Sequence, residues 1–340
     1  MLVLRRESSL ASIVRCETLE QENRELSSGE VLVRIEFASL NRIDILLQRG
    51  EIALPSSEHI LGAEASGTII RSASDVFGFE KGDRVAVYPY SGCESCTSCQ
   101  AGNPTMCRAA RITGVNASGL FREEVIVRAS DVYLIQKNVP SDMAAVVSTV
   151  AVAWHVLVCR GRLGKGESVA ISPVTSGLGA ACGEVAHQLG ARVIGVGRSE
   201  SLNSLRYRPE WLDETWSWNK LISEKISRVD LVVEAAGSTI GYLHQRLKSS
   251  GRMVSVGGHQ ARSIEFDLWR LFTREQELIG SHGSHQDDMR RAVEMISLMD
   301  PKALVDSTFK PENHELAYER LDTQGKFGKV LFDFSSRTST

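Results

Sequence analysis

The sequence predicts an α/β protein with two domains, one rich in β-strands and the other built on a parallel sheet. Its 340 residues exceed the usual size of a single domain. Residues 1 to about 130 contain short strand-like runs separated by turn residues. From residue 139 onwards, apolar strands alternate with helical stretches, which indicates a doubly wound parallel sheet with helices on both faces.

The centre of the second domain is the segment 167–199, which has the pattern strand, glycine-bearing turn, helix and strand. Glycines in such a turn let the backbone approach a pyrophosphate, and the free N–H groups of the helix start can bind it. The glycine pattern is incomplete, because Pro173 lies near the position of its first glycine, so a simple tight turn is the alternative. The residues predicted to bind a dinucleotide are Ser176, Gly177, Leu178 and Gly179.

The end of the second strand of this unit indicates which dinucleotide binds. An NAD-preferring enzyme usually has an acidic residue there, about 20 residues after the glycine turn, to hold the ribose hydroxyls. Here Gly197 takes that position, and Arg198 and Ser199 follow. An arginine and a hydroxyl suit the 2′-phosphate of NADP(H), which we predict as the cofactor. Glu200 is the competing candidate, as the acidic residue that would hold the ribose hydroxyls of NAD. The alternative for Arg198 is a loop arginine exposed to solvent.

Two later apolar strands also end in glycines. Residues 229–236 (VDLVVEAA) precede one glycine, and residues 251–258 (GRMVSVGG) end in two. Ligands of parallel sheets bind beyond the carboxyl ends of the strands. We therefore predict that Gly237, Gly257 and Gly258 line the cofactor site.

Four cysteines in the first domain are spaced C-x2-C-x2-C-x7-C. Thiolates grouped in one loop favour tetrahedral zinc, and four protein ligands leave no open position for a substrate. We predict one structural zinc ion per chain in a lobe at about residues 90–110. Its ligands are Cys93, Cys96, Cys99 and Cys107.

Composition excludes several classes of protein. A net charge of -3 favours neither nucleic acid nor an anionic membrane as a partner. The longest apolar-rich stretch, 143–159, is too short to span a bilayer comfortably. The N-terminus lacks the order of regions found in a signal peptide. We expect a cytoplasmic protein that acts on a small-molecule substrate.

Several stretches along the chain match one known family. They are SLNRIDILLQRG (39–50), ILGAEASGTI (60–69), KGDRVAVYP (81–89), the cysteine loop, TSGLG, VDLVVEAAG, GRMVSVGG and FGKVLF (327–332). Together they resemble the medium-chain dehydrogenase/reductase superfamily over nearly the whole chain. The resemblance implies a GroES-like, β-rich catalytic domain formed by residues 1–130 and 268–340. It also implies a Rossmann NADP-binding domain at 131–267, with the active site in the cleft between the two domains.

The departures from this family concern the catalytic zinc. Its zinc alcohol dehydrogenases bind that ion through a cysteine, a histidine in a G-H-E stretch and a further cysteine or acidic residue. Here those positions are Asn41, Ala63 and, with a less certain alignment, Ser148, none of which is a good zinc ligand. The stretch around Asn41 resembles the zinc-free quinone oxidoreductase branch, although that branch usually lacks the cysteine loop.

Without a catalytic metal, a substrate with its own electron sink is favoured. We therefore expect an NADPH-dependent reductase of activated C=C bonds (enones) or quinones, with Asn41, Asp44 and Thr149 as candidate catalytic residues. For Asp44, capping of the following helix is an equal alternative. The enoyl-thioester reductases of the family carry a tyrosine after this motif, and residues 50–52 offer none. His282 and His285 are weaker candidates for the cleft, and His59 is weaker still.

Two other functions stay open at this point. One is a metal-free NADP-dependent alcohol or polyol dehydrogenase of a biosynthetic pathway, with Glu64 or a histidine as the base. The other is an NADPH-binding sensor or interaction protein with little turnover. The resemblance also implies a homodimer, and residues 277–281 (ELIGS) are a candidate for the strand at which two sheets would join.

Overall fold

The computed structural model describes residues 1–7, 14–18, 24–56, 58–205, 207–223, 226–261 and 263–335. The last five residues of the predicted catalytic domain, 336–340, thus lie outside the described part. The strands are β1 Leu2–Glu7, β2 Val14–Thr18, β3 Glu30–Ser39, β4 Glu58–Ile60, β5 Ala65–Ser72, β6 Arg84–Val87, β7 Tyr90–Ser91, β8 Arg111–Ile112, β9 Glu124–Arg128, β10 Val132–Leu134, β11 Ser168–Ser172, β12 Arg192–Gly197, β13 Glu214–Ser217, β14 Val229–Glu234, β15 Leu247–Ser255, β16 Glu277–Gly280, β17 Val305–Phe309 and β18 Lys329–Asp333.

The α-helices lie between these strands in the chain. They are α1 Arg42–Gln48, α2 Thr97–Gln100, α3 Ser141–Ala144, α4 Val147–Trp154, α5 Gly177–Gln188, α6 Ser199–Asn203, α7 Trp218–Ser223, α8 Ile240–Leu243, α9 Leu268–Thr273, α10 Gln286–Met295, α11 Pro301–Leu304 and α12 His314–Asp322. Helix α4 continues directly into a π-helix, His155–Arg160.

The second domain contains a six-stranded sheet in the order β13-β12-β11-β14-β15-β16, and all neighbouring strands run parallel. The strand order reverses between β11 and β14, which opens a crevice at their carboxyl ends, where a dinucleotide binds in such sheets. The apolar runs of β11 and β14 are buried because helices cover both faces. The predicted doubly wound sheet is confirmed.

The other large sheet combines strands from both ends of the chain. Its order is β10-β6-β5-β3-β18-β17, with β9 also paired to β3. Strand β18 pairs antiparallel with β3, so the C-terminal segment completes a sheet that begins near the N-terminus. This is the β-rich part of the predicted α/β fold. Strand β16 pairs with β15, so the parallel sheet extends beyond the predicted boundary at residue 268.

Helix α4 connects the two sheets at the centre of the main hydrophobic core. Val147, Val150 and Ala151 are fully buried, and α4 packs against both α5 and α10. Since α4 is apolar on nearly all sides, its position is fixed by packing. In the described residues, no helix is both long and apolar enough to cross a membrane.

Candidate active site and structural metal lobe

The cysteine loop brings its four sulfurs together as the spacing predicts. The Sγ atoms of Cys93, Cys96, Cys99 and Cys107 all lie within 4.8 Å of one another. Gly92 packs so closely on Cys99 that a Cβ would overlap its Sγ atom, so only glycine fits there. Four converging thiol sulfurs fit tetrahedral zinc, and they leave no ligand position for a substrate. This lobe fits a structural metal.

The glycine turn between β11 and α5 has the tight geometry that a dinucleotide requires. Ser176 caps α5, since its Oγ accepts a hydrogen bond from the Gly179 N–H at 2.9 Å and donates to the Pro173 carbonyl at 2.9 Å. A Cβ at Gly179 would overlap that carbonyl oxygen. The helix start therefore lies close against the carboxyl end of β11, where its N–H groups suit a phosphate.

The other predicted cofactor residues lie along the same edge of the sheet. Gly237 follows β14 with a φ of +96°, which favours glycine, and a Cβ at Gly257 would overlap the Ala235 carbonyl. Arg198 is exposed and directly follows β12, and Ser199 begins α6. The sheet thus brings the predicted cofactor residues to one rim.

Two of the three candidate catalytic residues meet around one buried carboxylate, that of Glu64, which is 4% exposed. The Thr149 N–H donates to Glu64 Oε1 at 2.6 Å, and the Thr149 hydroxyl donates to Oε2 at 2.9 Å. The Asn41 side-chain amide also donates to Oε2, at 3.4 Å. Asn41 and Thr149 are therefore brought together through a residue that the sequence analysis considered only as an alternative base.

A buried lysine completes this group. The ammonium of Lys329 lies 2.9 Å from Glu64 Oε2 and donates to Asn41 Oδ1 at 2.7 Å. Lys329 is only 4% exposed. Its aliphatic stem crosses Gly177 so closely that a Cβ there would overlap the lysine Cδ. One side chain of β18 therefore links the glycine turn to the candidate catalytic residues.

Asp44 holds the backbone around Asn41. Its fully buried carboxylate accepts the N–H of Asn41 at 2.8 Å and the N–H of Gly62 at 3.2 Å. Burial raises the pKa of Asp44 to about 7, although these two bonds and the Lys329 charge oppose the shift. Asp44 thereby joins the start of α1 to the Gly62-Ala63-Glu64 stretch. This contact agrees with the alternative that Asp44 caps helix α1. The catalytic role of Asp44 stays a prediction.

The donors at this position do not fit a catalytic zinc. Ala63 offers no donor atom, and Asn41 and Ser148 are poor zinc ligands. Among the described residues, the groupings of three or more histidine, cysteine or acidic side chains that could hold a metal are the cysteine lobe and one around His155, and neither includes Glu64. Instead, the lysine ammonium contacts Asn41 at the position of the family's zinc-binding cysteine.

The predicted histidines make their contacts elsewhere. His59 is buried and hydrogen-bonds the Gly114 carbonyl at 3.0 Å. His282 packs edge-on against Tyr90, with ring centroids 6.1 Å apart, and His285 packs on His155 at 4.4 Å. Within the described part of the chain, none of these rings hydrogen-bonds Glu64 or Lys329.

Sequence reasoning missed Lys329 and Tyr90. The segment FGKVLF supported the resemblance, but its lysine was given no role. Tyr90 interacts electrostatically with Glu64: burial, and then the charge of Glu64, raise the pKa of the Tyr90 hydroxyl to about 12. The signal for Lys329 was a charged residue directly before the apolar run 330–332, a position that favours a buried ion pair.

Comparison with known proteins identifies the family. Residues 27–137 match the family model of the alcohol dehydrogenase GroES-like domain, and residues 177–297 match that of the zinc-binding dehydrogenases. An acryloyl-coenzyme A reductase of Sulfurisphaera tokodaii is 27% identical over 307 residues, which cover 89% of this chain and 91% of that protein.

Solved structures share the fold over nearly the full chain. An NAD-dependent alcohol dehydrogenase superposes with a TM-score of 0.86 at 24% identity, covering 98% of this chain and 99% of that one. A crotonyl-CoA carboxylase/reductase superposes with a TM-score of 0.87 at 20% identity, covering 100% of this chain and 89% of that one. The chain therefore belongs to the zinc-type medium-chain dehydrogenase/reductase superfamily of oxidoreductases.

Proposed function

We propose that this protein is an NADPH-dependent reductase that transfers hydride to an activated C=C bond or a quinone without a catalytic zinc. The observation that carries the proposal is the Lys329 ammonium, hydrogen-bonded to Asn41 and paired with Glu64. A fixed cation at that position can stabilise negative charge on a substrate oxygen, which is the task that a Lewis-acid metal performs in other dehydrogenases.

The proposed chemistry divides between cofactor and protein. When bound, the reduced nicotinamide would supply a hydride to the β-carbon of an enone. The C=C electron pair then shifts towards the carbonyl carbon and the carbonyl π pair moves onto its oxygen, which gives an enolate. Lys329 donates a hydrogen bond to this developing oxyanion, while Glu64 and Asn41 hold the ammonium in place. A proton from water then adds to the α-carbon, so that one hydride and one proton saturate the bond.

Glu64 is better suited to holding Lys329 than to acting as a base. Its two oxygens already accept bonds from the Thr149 N–H, the Thr149 hydroxyl and the lysine ammonium. These donors occupy lone pairs of the carboxylate that a substrate hydroxyl would need. This argues against the metal-free alcohol dehydrogenase, although the NAD-dependent alcohol dehydrogenase of similar fold keeps that function as the second candidate.

The names of two similar proteins bear on the substrate. An acryloyl-coenzyme A reductase and a crotonyl-CoA carboxylase/reductase both act, by name, on α,β-unsaturated thioesters. The absence of a tyrosine at residues 50–52 argued against such a substrate. Tyr90 supplies, from a different element, a phenol that interacts with the Glu64 charge, which weakens that argument. Unsaturated thioesters therefore belong in the substrate panel beside enones and quinones.

The test compares initial rates for several substrates. The protein is treated with a chelator that leaves only the zinc of the cysteine lobe bound. A small enone, a quinone and an unsaturated acyl-CoA are assayed with NADPH, and secondary alcohols with NADP+. Turnover of at least one electrophile, unaffected by a chelator that spares the cysteine lobe, is expected. Turnover of alcohols alone would favour the dehydrogenase, and tight NADPH binding without any turnover would favour the sensor. Chelator-sensitive hydride transfer in folded protein would overturn the zinc-free mechanism.

We further propose a homodimer formed at the edge of the parallel sheet. Strand β16 pairs with β15 on one side only among the described strands. Neighbouring apolar side chains are exposed, with Trp269 at 72%, Phe272 at 62% and Leu278 at 47%. An open strand edge flanked by apolar side chains favours pairing with a second chain. Light scattering that reports a monomer would contradict this proposal.

A further inference from the structure

A second group of metal-binding side chains lies between α4 and α10, apart from the cysteine lobe. His155, His285 and Asp288 each place a possible ligand atom within 4.8 Å of the others. The His155 Nδ1 and Asp288 Oδ2 atoms are 2.8 Å apart, and the two imidazole rings are 4.4 Å apart. A tetrahedral ion with bonds of about 2.1 Å separates its N and O ligands by about 3.4 Å, so small shifts would form such a site.

The local backbone explains why these side chains converge. His155 begins the π-helix that extends α4, and Cys159 lies four residues later in it. The Cys159 Sγ lies 3.2 Å from Asp288 Oδ1, which adds a fourth donor. His285 and Asp288 come from the first turn of α10, where the carboxylate also accepts the His285 N–H at 2.6 Å. Widened helical turns of this kind are frequent at functional sites.

The charge balance of the group favours a cation. Asp288 is only 3% exposed, and among the described residues no lysine or arginine forms an ion pair with it. Its side-chain partners are His155, which is charged only when protonated, and the thiol of Cys159. A buried carboxylate without a permanent cation is costly, and buried charges are usually paired or bound to metals. Arg160 follows Cys159 in the chain, but it donates to the Gly280 carbonyl.

Access to the group is open on one side. Cys159 is exposed and His285 is half-buried, whereas His155 and Asp288 are buried. An ion could therefore enter past the exposed donors and reach the buried ones. Two imidazoles, a carboxylate and a thiolate are a ligand set that zinc accepts in tetrahedral geometry.

We propose that His155, His285 and Asp288, with Cys159 as the fourth ligand, form a second zinc-type metal site that joins α4 to α10. The site shares no residue with the cysteine lobe or with the pair of Lys329 and Glu64. Its test measures zinc content and melting temperature, so the outcome does not depend on the proposed reaction. The bound ion would fix the start of α10 against the helix that carries Thr149.

The test measures zinc in the full-length protein after equilibration with added zinc and removal of the free ion. We expect about two zinc ions per chain in the wild type and about one in His285→Ala and Asp288→Asn. His282→Ala is the matched control, because this exposed histidine in the same loop is not part of the group, and it should retain about two. Added zinc should raise the melting temperature of the wild type and the control only.

Equal zinc content in all four proteins would overturn the proposal. About one ion in each would mean that the group is a hydrogen-bonded helix cap without a metal, and about two in each would place the second ion elsewhere. Should Asp288→Asn fail to fold, His285→Ala provides the same comparison at a half-buried position. Far-UV circular dichroism checks the fold of each variant.

Discussion

Replacement of Lys329 by methionine tests the central element of the proposed reaction. Methionine keeps much of the apolar stem that crosses Gly177 but removes the ammonium. Loss of one donor that stabilises a developing oxyanion typically costs about 3 to 4 kcal/mol, or about 10²- to 10³-fold in kcat. We expect a loss of that size at saturating NADPH, with the enone or thioester that the wild type turns over best.

The same substitution also affects stability, and a second variant separates the two effects. Lys329→Met leaves the Glu64 carboxylate buried without its cation, and breaking a buried pair costs about 3 to 5 kcal/mol. The double variant Lys329→Met/Glu64→Gln removes both charges, and the glutamine carbonyl can still accept from Thr149. We expect most of the unfolding free energy to return in the double variant, while kcat stays low.

The assay records kcat, the KM for NADPH and the Kd of NADPH by fluorescence, with urea unfolding beside them. If Lys329 only held a cofactor phosphate, its replacement would raise the Kd of NADPH and leave kcat at saturating NADPH unchanged. A kcat within about threefold of wild type in the folded double variant, at saturating NADPH, would therefore refute the proposed role of Lys329.

Four further predictions concern other parts of the molecule. Arg198→Ala should lower kcat/KM for NADPH by about 10- to 100-fold and leave that for NADH unchanged, because a charge-assisted bond to the 2′-phosphate is lost. In protein purified without added metal, Cys99→Ser should lose the zinc of the cysteine lobe and melt at a lower temperature, with kcat of the folded fraction retained. Leu278→Arg should give a monomer by light scattering, since it puts a charge on the open sheet edge. Burial raises the pKa of Asp44 to about 7, so the folded state binds the extra proton, and stability from this group falls as pH rises towards 7. Relative to Asp44→Asn, the wild type should therefore lose roughly 2 kcal/mol of unfolding free energy between about pH 5 and about pH 7.

Each of these variants has a control or a contrary outcome. Arg192→Ala removes an exposed arginine at the other end of the same strand and should not change the preference between NADPH and NADH. Leu316→Arg places the same charge at an exposed leucine of α12 and should stay dimeric. Full zinc content in Cys99→Ser would contradict the lobe assignment. Parallel pH–stability curves for the wild type and Asp44→Asn would contradict the raised pKa.

Local patterns in the sequence were sufficient to predict the fold. The glycine turn between β11 and α5, the apolar strands of the parallel sheet and the cysteine spacing all involve residues close together in the chain. Each corresponds to one structural requirement: a tight turn, a strand buried on both faces, or four sulfurs around one centre. The fold class and the superfamily could therefore be predicted, as could the convergence of the four cysteines.

The chemistry around Glu64 depends on contacts that no local pattern contains. Lys329 lies 288 positions after Asn41 in the chain, and they meet only because β18 pairs with β3 in the antiparallel sheet. The family pattern indicated which zinc ligands were missing, but it could not indicate which group occupies their place. A buried lysine is costly unless it is paired, and the pairing becomes visible only when β18 is placed beside β3 in the antiparallel sheet. The cation at this position thus follows from topology, whereas the lack of good zinc ligands at Asn41, Ala63 and Ser148 follows from the sequence.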